Sequence, residues 1–91
     1  MTVTWRSSAR ADLVRIVRYL AQENPIAARR MARELVLAGD SLALFPRRGR
    51  HGLAAGTREL VIVRPYVVVY QVDGDDNVDI LRVWHSAQDR G

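Results

Sequence analysis

Two arginines and a histidine in the second half of the chain have the chemistry to act on an anionic substrate. Arg58 and Arg82 interrupt runs of apolar residues, and His85 follows Arg82 by three positions. A guanidinium binds phosphate or stabilises charge that develops in a transition state, and an imidazole with a pKa of ~6.5 transfers protons near neutral pH. A structural alternative exists for each residue: the arginines would pair with Glu59, Asp79 or carboxylates of a partner, and His85 would bind backbone at a strand end.

These residues lie in a segment that is predicted to form a sheet. Residues 56–85 are dense in β-branched and aromatic side chains and contain two turn signals, Arg64-Pro65 and Asp73-Gly74. That pattern is typical of three consecutive antiparallel strands. Both faces of the middle stretch, residues 60–63, carry aliphatic side chains, which predicts that the sheet face opposite the helices is partly covered by curvature or by a partner chain.

Strand alternation predicts which of the candidate residues share a face. In the last strand, Arg82 and Trp84 should lie on one face, whereas Val83 and His85 should lie on the other. We therefore expect Arg82 and His85 to meet only if the strand bulges or ends between them. The same rule separates Arg58 from Glu59.

The first half of the chain supplies a short strand and two helices. Residues 2–5 alternate polar with apolar side chains and form a strand that could join the later sheet. Apolar residues at helical spacing predict a helix over residues 9–22, with Ser7 or Ser8 as its N-cap and Asp12 near the positive end of its dipole. Asn24-Pro25 predicts the start of a second helix, whose apolar stripe continues to Phe45. Gly39 either permits close packing or marks a bend.

The predicted fold is therefore a single α+β domain, residues 1–91, with the order β-α-α-β-β-β. An antiparallel sheet packs on a helical hairpin. The arginine-rich stretch Arg47-Arg48-Gly49-Arg50-His51-Gly52 is predicted to be a flexible loop that precedes the sheet.

Composition limits the classes of function. The chain has no cysteine and only two histidines, and we predict neither a metal site nor a cofactor. No apolar run approaches the ~20 residues that a membrane span needs, so a soluble, cytoplasmic protein is expected. All fourteen basic residues are arginine, and residues 1–55 carry a net charge of +6 (ten Arg, four Asp/Glu) against −2 for residues 56–91 (four Arg, six Asp/Glu). This asymmetry indicates an anionic partner for the first half.

The order and spacing of several segments resemble the RelE/ParE superfamily of type II toxin-antitoxin toxins. The resemblance covers nearly the whole chain and is carried by Leu44-Phe45-Pro46 with Gly49-Arg50, Gly56-Thr57-Arg58-Glu59-Leu60, Tyr66-Val67-Val68-Val69-Tyr70 and Ile80-Leu81-Arg82-Val83-Trp84-His85. It implies a small bacterial toxin, associated with growth inhibition and plasmid stabilisation, that a cognate antitoxin protein binds and neutralises in a hetero-oligomer.

Members of the superfamily act on two different targets, so the resemblance implies one or the other for this chain. Members similar to ParE poison DNA gyrase, and members similar to RelE cut messenger RNA on the ribosome. Gly-Thr-Arg-Glu-Leu and the long hairpin look more like ParE, and the absence of lysine departs from the RNA-cutting pattern. If the chain instead resembles RelE in activity, Arg58 and Arg82 match the phosphate-binding arginines, and His85 matches the residue that transfers the proton during 2′-hydroxyl attack. A non-toxic interaction module of the same fold is the third possibility.

A further set of residues is predicted to contact the target or the antitoxin. It comprises the loop arginines, one carboxylate and two aromatic residues: Arg47, Arg48, Arg50, Glu59, Tyr70 and Trp84. The alternatives are a solvated basic turn for the arginines, an ion pair for Glu59, and core packing for the aromatic residues.

Overall fold

A computed structural model describes residues 2–86 and shows two helices packed on a five-stranded mixed sheet. The elements in chain order are β1 (Val3–Trp5), α1 (Ser7–Ala21), α2 (Pro25–Asp40), a 3₁₀ turn (Ser41–Ala43), β2 (Arg50–His51), β3 (Arg58–Leu60), β4 (Tyr66–Val72) and β5 (Val78–His85). The predicted α+β class and helical hairpin are confirmed. Within the described range, neither helix is long and apolar enough to cross a membrane.

The sheet has the order β1-β5-β4-β3-β2. β1 pairs with β5 in parallel, and every other pairing is antiparallel. The first strand therefore joins the sheet as predicted, but the sheet is mixed rather than wholly antiparallel. The chain passes through the helical hairpin between β1 and the remaining strands, which allows the parallel pairing.

The stretch predicted to be a basic loop contains an additional edge strand. Arg50 lies opposite Glu59 and His51 lies opposite Arg58, and the Gly52 N–H closes the connection by donating to the Thr57 carbonyl at 2.8 Å. Cross-strand pairs of opposite charge favour such pairing. β3 ends at Leu60, so the aliphatic residues 61–63 belong to the following turn and not to the strand.

The start of α1 and the end of α2 differ from the prediction. α1 begins at Ser7, and Ser8 does not cap it but donates its hydroxyl to the Leu81 carbonyl at 2.6 Å. The predicted start of α2 is confirmed, because the Asn24 side chain accepts a hydrogen bond from the Ala27 N–H. α2 gives way to the 3₁₀ turn after Asp40, so the prediction that the apolar stripe of the second helix continues to Phe45 was wrong, and Phe45 is 62% exposed.

The core lies between the hairpin and one face of the sheet. Leu35 and Leu42 from the helical layer meet Val68, Tyr70 and Ile80 from the two central strands, and all five are fully buried. Gly39 permits close packing, since a Cβ there would collide with the Trp5 ring and lie 2.8 Å from Ile80 Cδ1.

A β-bulge in β5 sets which side chains face the helices. Val69 pairs with Arg82 while Tyr70 pairs with Ile80, which leaves Leu81 as the extra residue. Ile80 and Val83 consequently both belong to the buried cluster although they are an odd number of positions apart. On the opposite face, Val67 is only 1% exposed, so part of that face is covered without a partner chain.

Candidate functional site

The carboxylate of Asp12 is the most highly connected polar group in the described chain. It is 1% exposed and lies on the inner side of α1. Its oxygens accept hydrogen bonds from Arg82 Nε at 2.7 Å and Nη2 at 3.0 Å, from the Val83 N–H at 2.9 Å, and from Arg15 Nη2 at 2.6 Å. A buried carboxylate requires this number of donors because an unpaired buried charge is costly.

The electrostatics favour the charged form of this cluster. Burial by itself raises the pKa of Asp12, but the hydrogen bonds from Arg82, Val83 and Arg15 outweigh it and lower the pKa below its ordinary value. The same carboxylate raises the pKa of Arg82. Asp12 and Arg82 therefore form a permanent ion pair at neutral pH.

The role of Asp12 was not predicted from the sequence. Its position near the start of a helix indicated a favourable interaction with the helix dipole, whereas the structure places it at the helix–sheet interface. The available signal was its position one turn from the buried Ala9 and one turn from Ile16, on the apolar stripe of α1. A carboxylate on an apolar stripe needs a cationic partner from another element.

The start of α1 also covers the outer edge of β5. The Arg6 N–H donates to the Ile80 carbonyl at 2.9 Å. The Ser8 hydroxyl donates to the Leu81 carbonyl, and the Asp12 carboxylate accepts a hydrogen bond from the Val83 N–H. These contacts cover the part of the β5 edge that follows the three residues paired with β1. An exposed strand edge invites pairing with other chains, and the helix blocks it here.

Arg82 is held from two sides. Two of its nitrogens bond Asp12, and its guanidinium carbon lies 4.2 Å from the centroid of the Trp84 ring. The prediction that Arg82 and Trp84 share a face is consistent with this cation–π contact. The Arg82 side chain remains 38% exposed, so a rim of the guanidinium reaches solvent.

Arg58 fixes the arginine-rich connection before β3. Its Nη1 donates to the Gly49 carbonyl at 2.8 Å and to the Arg47 carbonyl at 3.2 Å. The partners expected for Arg58 and Arg82 were Glu59 and Asp79, but Arg58 binds main-chain carbonyls and Arg82 binds Asp12. Asp79 pairs with Arg6 instead, at 3.0 Å.

Glu59 and Tyr70 contribute to the same edge of the sheet. The Glu59 carboxylate is 5% exposed and pairs with Arg50 at 2.9 Å. The Tyr70 hydroxyl accepts a hydrogen bond from the Gly49 N–H at 2.9 Å, and burial raises the pKa of its phenol. Tyr70 has no accessible surface, so the structure assigns it to the core and does not support its prediction as a partner contact.

His85 lies in a different environment from both arginines. Its ring meets Tyr66 edge-to-face at a centroid distance of 5.4 Å, and it lines a cleft of about 470 Å³ together with Arg15, Ile16 and Tyr19 of α1 and Val83. Tyr66 is the strand partner of His85 and belongs to the helix-facing core. His85 thus faces the helices.

The strand register does not place the three predicted catalytic residues on one face of the sheet. Arg58 pairs with Tyr70, which faces the helices, whereas Arg82 pairs with Val69, the adjacent residue, and so lies on the opposite face. The strand partners of Arg58 and His85 are Tyr70 and Tyr66, four residues apart along β4, which is about 13 Å of strand. In residues 2–86, no group of three His, Cys, Asp or Glu side chains could hold a metal ion.

An exposed apolar groove runs beside the arginine-rich segment. We use this term for the surface formed by Leu37, Leu44, Phe45 and Ile62, which are between 53% and 74% exposed. It comprises two adjoining clefts, and Arg48 lines both. The Arg48 guanidinium donates to the Ser41 hydroxyl at 3.0 Å, and Arg47 pairs with Asp76 at 2.6 Å at one end of the groove. Apolar side chains this exposed are typical of an interaction surface.

Comparison with known proteins decides the family. A family model described as the ParE toxin of the type II toxin-antitoxin system parDE matches residues 3–90. The chain belongs to the ParE toxin family. It is accordingly a type II toxin-antitoxin toxin of the RelE/ParE superfamily, as the sequence pattern predicted.

Relatives of this ParE-family toxin carry names from both branches of the superfamily. It is 51% identical to Toxin RelE2 of Caulobacter vibrioides over 94% of this chain and 96% of that protein, and 37% identical to Toxin RelE1 of the same organism over 99% and 100%. Among solved structures, it is similar to the chromosomal ParDE toxin-antitoxin system of P. aeruginosa, with a TM-score of 0.82, 26% identity and coverage of 93% and 95%.

A second structural neighbour has a name from the RelE branch. The RelBE2 toxin-antitoxin complex of Mycobacterium tuberculosis matches with a TM-score of 0.66 and 27% identity over 92% of this chain and 95% of that chain. The neighbours are toxin-antitoxin systems, which supports an antitoxin partner for this toxin. The names do not choose between gyrase and the ribosome as its target.

We expect Asp12→Asn to lower the free energy of unfolding by about 2–4 kcal/mol at neutral pH, because it removes the charge that compensates Arg82 and weakens the bond to the Val83 N–H. Since the folded-state pKa of Asp12 is lowered, its contribution is present above the ordinary aspartate pKa and is lost as the pH falls through the folded value. The acid limb of the stability profile should therefore be shallower in the variant.

Urea unfolding across an acidic pH series measures both effects. Asp79→Asn is the matched control, because its exposed pair with Arg6 should contribute less than about 1 kcal/mol. Equal losses in the two variants, or an unchanged acid limb in Asp12→Asn, would contradict the role assigned to Asp12.

Proposed function

We propose that this toxin arrests growth by binding DNA gyrase and trapping it on DNA, and that its antitoxin neutralises it by covering the toxin surface. The observation that carries this proposal is that the guanidinium groups of Arg58 and Arg82 are both engaged in bonds within the toxin, Arg58 with main-chain carbonyls and Arg82 with the buried Asp12 carboxylate. An agent that works by binding does not need these residues to converge on a reacting phosphate.

Phosphodiester cleavage makes stricter demands on geometry. A general base must come within about 3 Å of the proton that it removes, and a cation must lie beside the phosphate in the same site. In the described chain, Arg82 is committed to Asp12, Arg58 to two carbonyls, and His85 to the cleft beside Tyr66. This separation supports a non-enzymatic mode of action.

Ribosome-dependent cleavage of messenger RNA is the second candidate. It is favoured by the names of the two Caulobacter relatives and by the exposed rim of Arg82 beside Trp84. In that case Arg82 would contact the phosphate while it remains bound to Asp12, and His85 would transfer the proton from the cleft that it shares with Arg15.

Purified toxin should inhibit supercoiling by gyrase and increase the amount of cleaved DNA that gyrase holds. His85→Ala should inhibit to the same extent, because the proposed mode needs no proton transfer. Supercoiling and cleavage assays on plasmid DNA measure both effects, with toxin premixed with its antitoxin as the inactive control. Unchanged gyrase activity at a large excess of toxin would contradict the proposal.

The apolar groove is the surface that we assign to the antitoxin. Its exposed side chains flank Arg48, which suits an amphipathic segment carrying apolar anchors and a carboxylate that faces the guanidinium. Arg47 extends the same surface. Arg47 and Arg48, two of the arginines predicted to contact a partner, therefore line the surface that we propose for the antitoxin. Arg50 is paired with Glu59 on β3.

Ile62→Asp or Leu37→Asp should weaken antitoxin binding by at least ~100-fold, because each places an unpaired charge in the centre of an apolar contact. Titration calorimetry with the purified antitoxin measures the affinity. Leu53→Asp is the matched control, since Leu53 is 77% exposed in the connection between β2 and β3 and outside the groove. Equal affinities for all three variants would show that the antitoxin binds elsewhere.

A further inference from the structure

Five arginines on the helical hairpin take part in none of the ion pairs found in residues 2–86. They are Arg10 and Arg18 of α1 and Arg29, Arg30 and Arg33 of α2, and all are exposed. The five ion pairs in the described range use other arginines: Arg6, Arg15, Arg47, Arg50 and Arg82. We call this set of five residues the hairpin arginine patch.

The patch lies on the sides of the helices that point away from the core. Arg10 and Arg18 line a shallow cleft on the outer side of α1 with Tyr19, and the three arginines of α2 line a second cleft with Ile26. The buried stripes, which include Ala9 on α1 and Leu35 on α2, occupy the opposite sides.

The dimensions of the patch follow from helix geometry. Arg10 and Arg18 are eight residues apart, about 12 Å along the axis, and packed helices lie about 8–10 Å apart. Both lengths are similar to the width of the major groove of a DNA duplex, which is ~12 Å and is bordered by phosphates on both sides.

The carboxylates of the two helices do not neutralise the patch. Asp12 is buried and saturated by its own donors, and Asp40 accepts a hydrogen bond from the Trp5 indole at 3.3 Å. Glu34 lines the apolar groove with Leu37 and Ile62. Glu23, in the short loop between the helices, is the remaining acidic residue of the hairpin. The patch therefore presents a local excess of positive charge.

From these observations we propose that the hairpin arginine patch binds the phosphate backbone of duplex DNA without reading its sequence. Clustered arginines along helices of a domain with a pI of about 10.6 are the electrostatic footprint of a nucleic-acid surface. Tyr19 is the sole aromatic side chain in the two clefts, so the patch lacks the stacking platforms that bind unpaired bases.

The choice of DNA rests on the proposed function, because gyrase acts on duplex DNA and a toxin that traps gyrase on DNA operates beside that duplex. Contact with the duplex would strengthen the trapped complex without any new contact to the protein target. An acidic protein surface is the competing partner for the same charges.

Fluorescence anisotropy with a short labelled duplex, the full-length toxin and a salt series tests the assignment. The logarithm of the association constant should fall linearly with the logarithm of salt concentration, with a slope near −0.9 for each phosphate contact. The triple variant Arg29→Gln, Arg30→Gln, Arg33→Gln should weaken binding and reduce that slope by roughly three. The control Arg6→Gln, Arg64→Gln removes exposed positive charge outside the hairpin and outside the apolar groove, and it should keep most of the wild-type slope.

Three results would overturn the assignment: no binding of the duplex by wild-type toxin at low salt, equal losses per arginine in the patch variant and the control variant, or tighter binding of labelled polyglutamate than of the duplex. The last result would indicate an acidic protein partner. The binding assay contains no gyrase, so its outcome is independent of the supercoiling assay. Toxin that binds DNA through the patch but leaves gyrase unaffected would contradict the proposed function alone.

Discussion

One buried carboxylate determines how the hairpin and the sheet fit together. Asp12 leaves water when α1 packs on the sheet, and that burial is tolerated only if several donors surround it. Arg82, Arg15 and the Val83 N–H supply them. Because two of these donors belong to β5, the position of the helix, the outer edge of β5 and the orientation of Arg82 are fixed by one cluster.

This constraint limits what the sheet can do chemically. Arg82 is oriented by Asp12 and Trp84, and the bulge at Leu81 lets Val83 rejoin the core while Arg82 faces away from it. Arg58 is directed toward the backbone of the arginine-rich segment, and His85 toward Tyr66. We therefore infer that the arginines that resemble a nuclease site stabilise the fold, and we propose the apolar groove and the outer side of the hairpin as the partner surfaces.

Local signals in the sequence predicted the parts of the fold that local physics determines. The Asn24 cap, the helical hairpin, the α+β class and the separation of Arg82 from His85 all follow from short-range spacing. The parallel pairing of β1, the strand at Arg50–His51 and the bulge depend on partners distant in the chain, so periodicity could not reveal them. The ion pair of Asp12 with Arg82 joins residues seventy positions apart. Family resemblance located Arg58, Arg82 and His85, but their side-chain partners, which come from distant parts of the chain, could not be predicted from the sequence.

We propose that this toxin acts by binding and not by cutting RNA. Mapping the 5′ ends of transcripts in cells after toxin induction tests this mode of action, with chromosomal breaks measured in the same samples. We expect gyrase-dependent breaks and transcript ends that match those of uninduced cells. New transcript ends within translated codons, lost in Arg82→Gln toxin that remains folded, would contradict it.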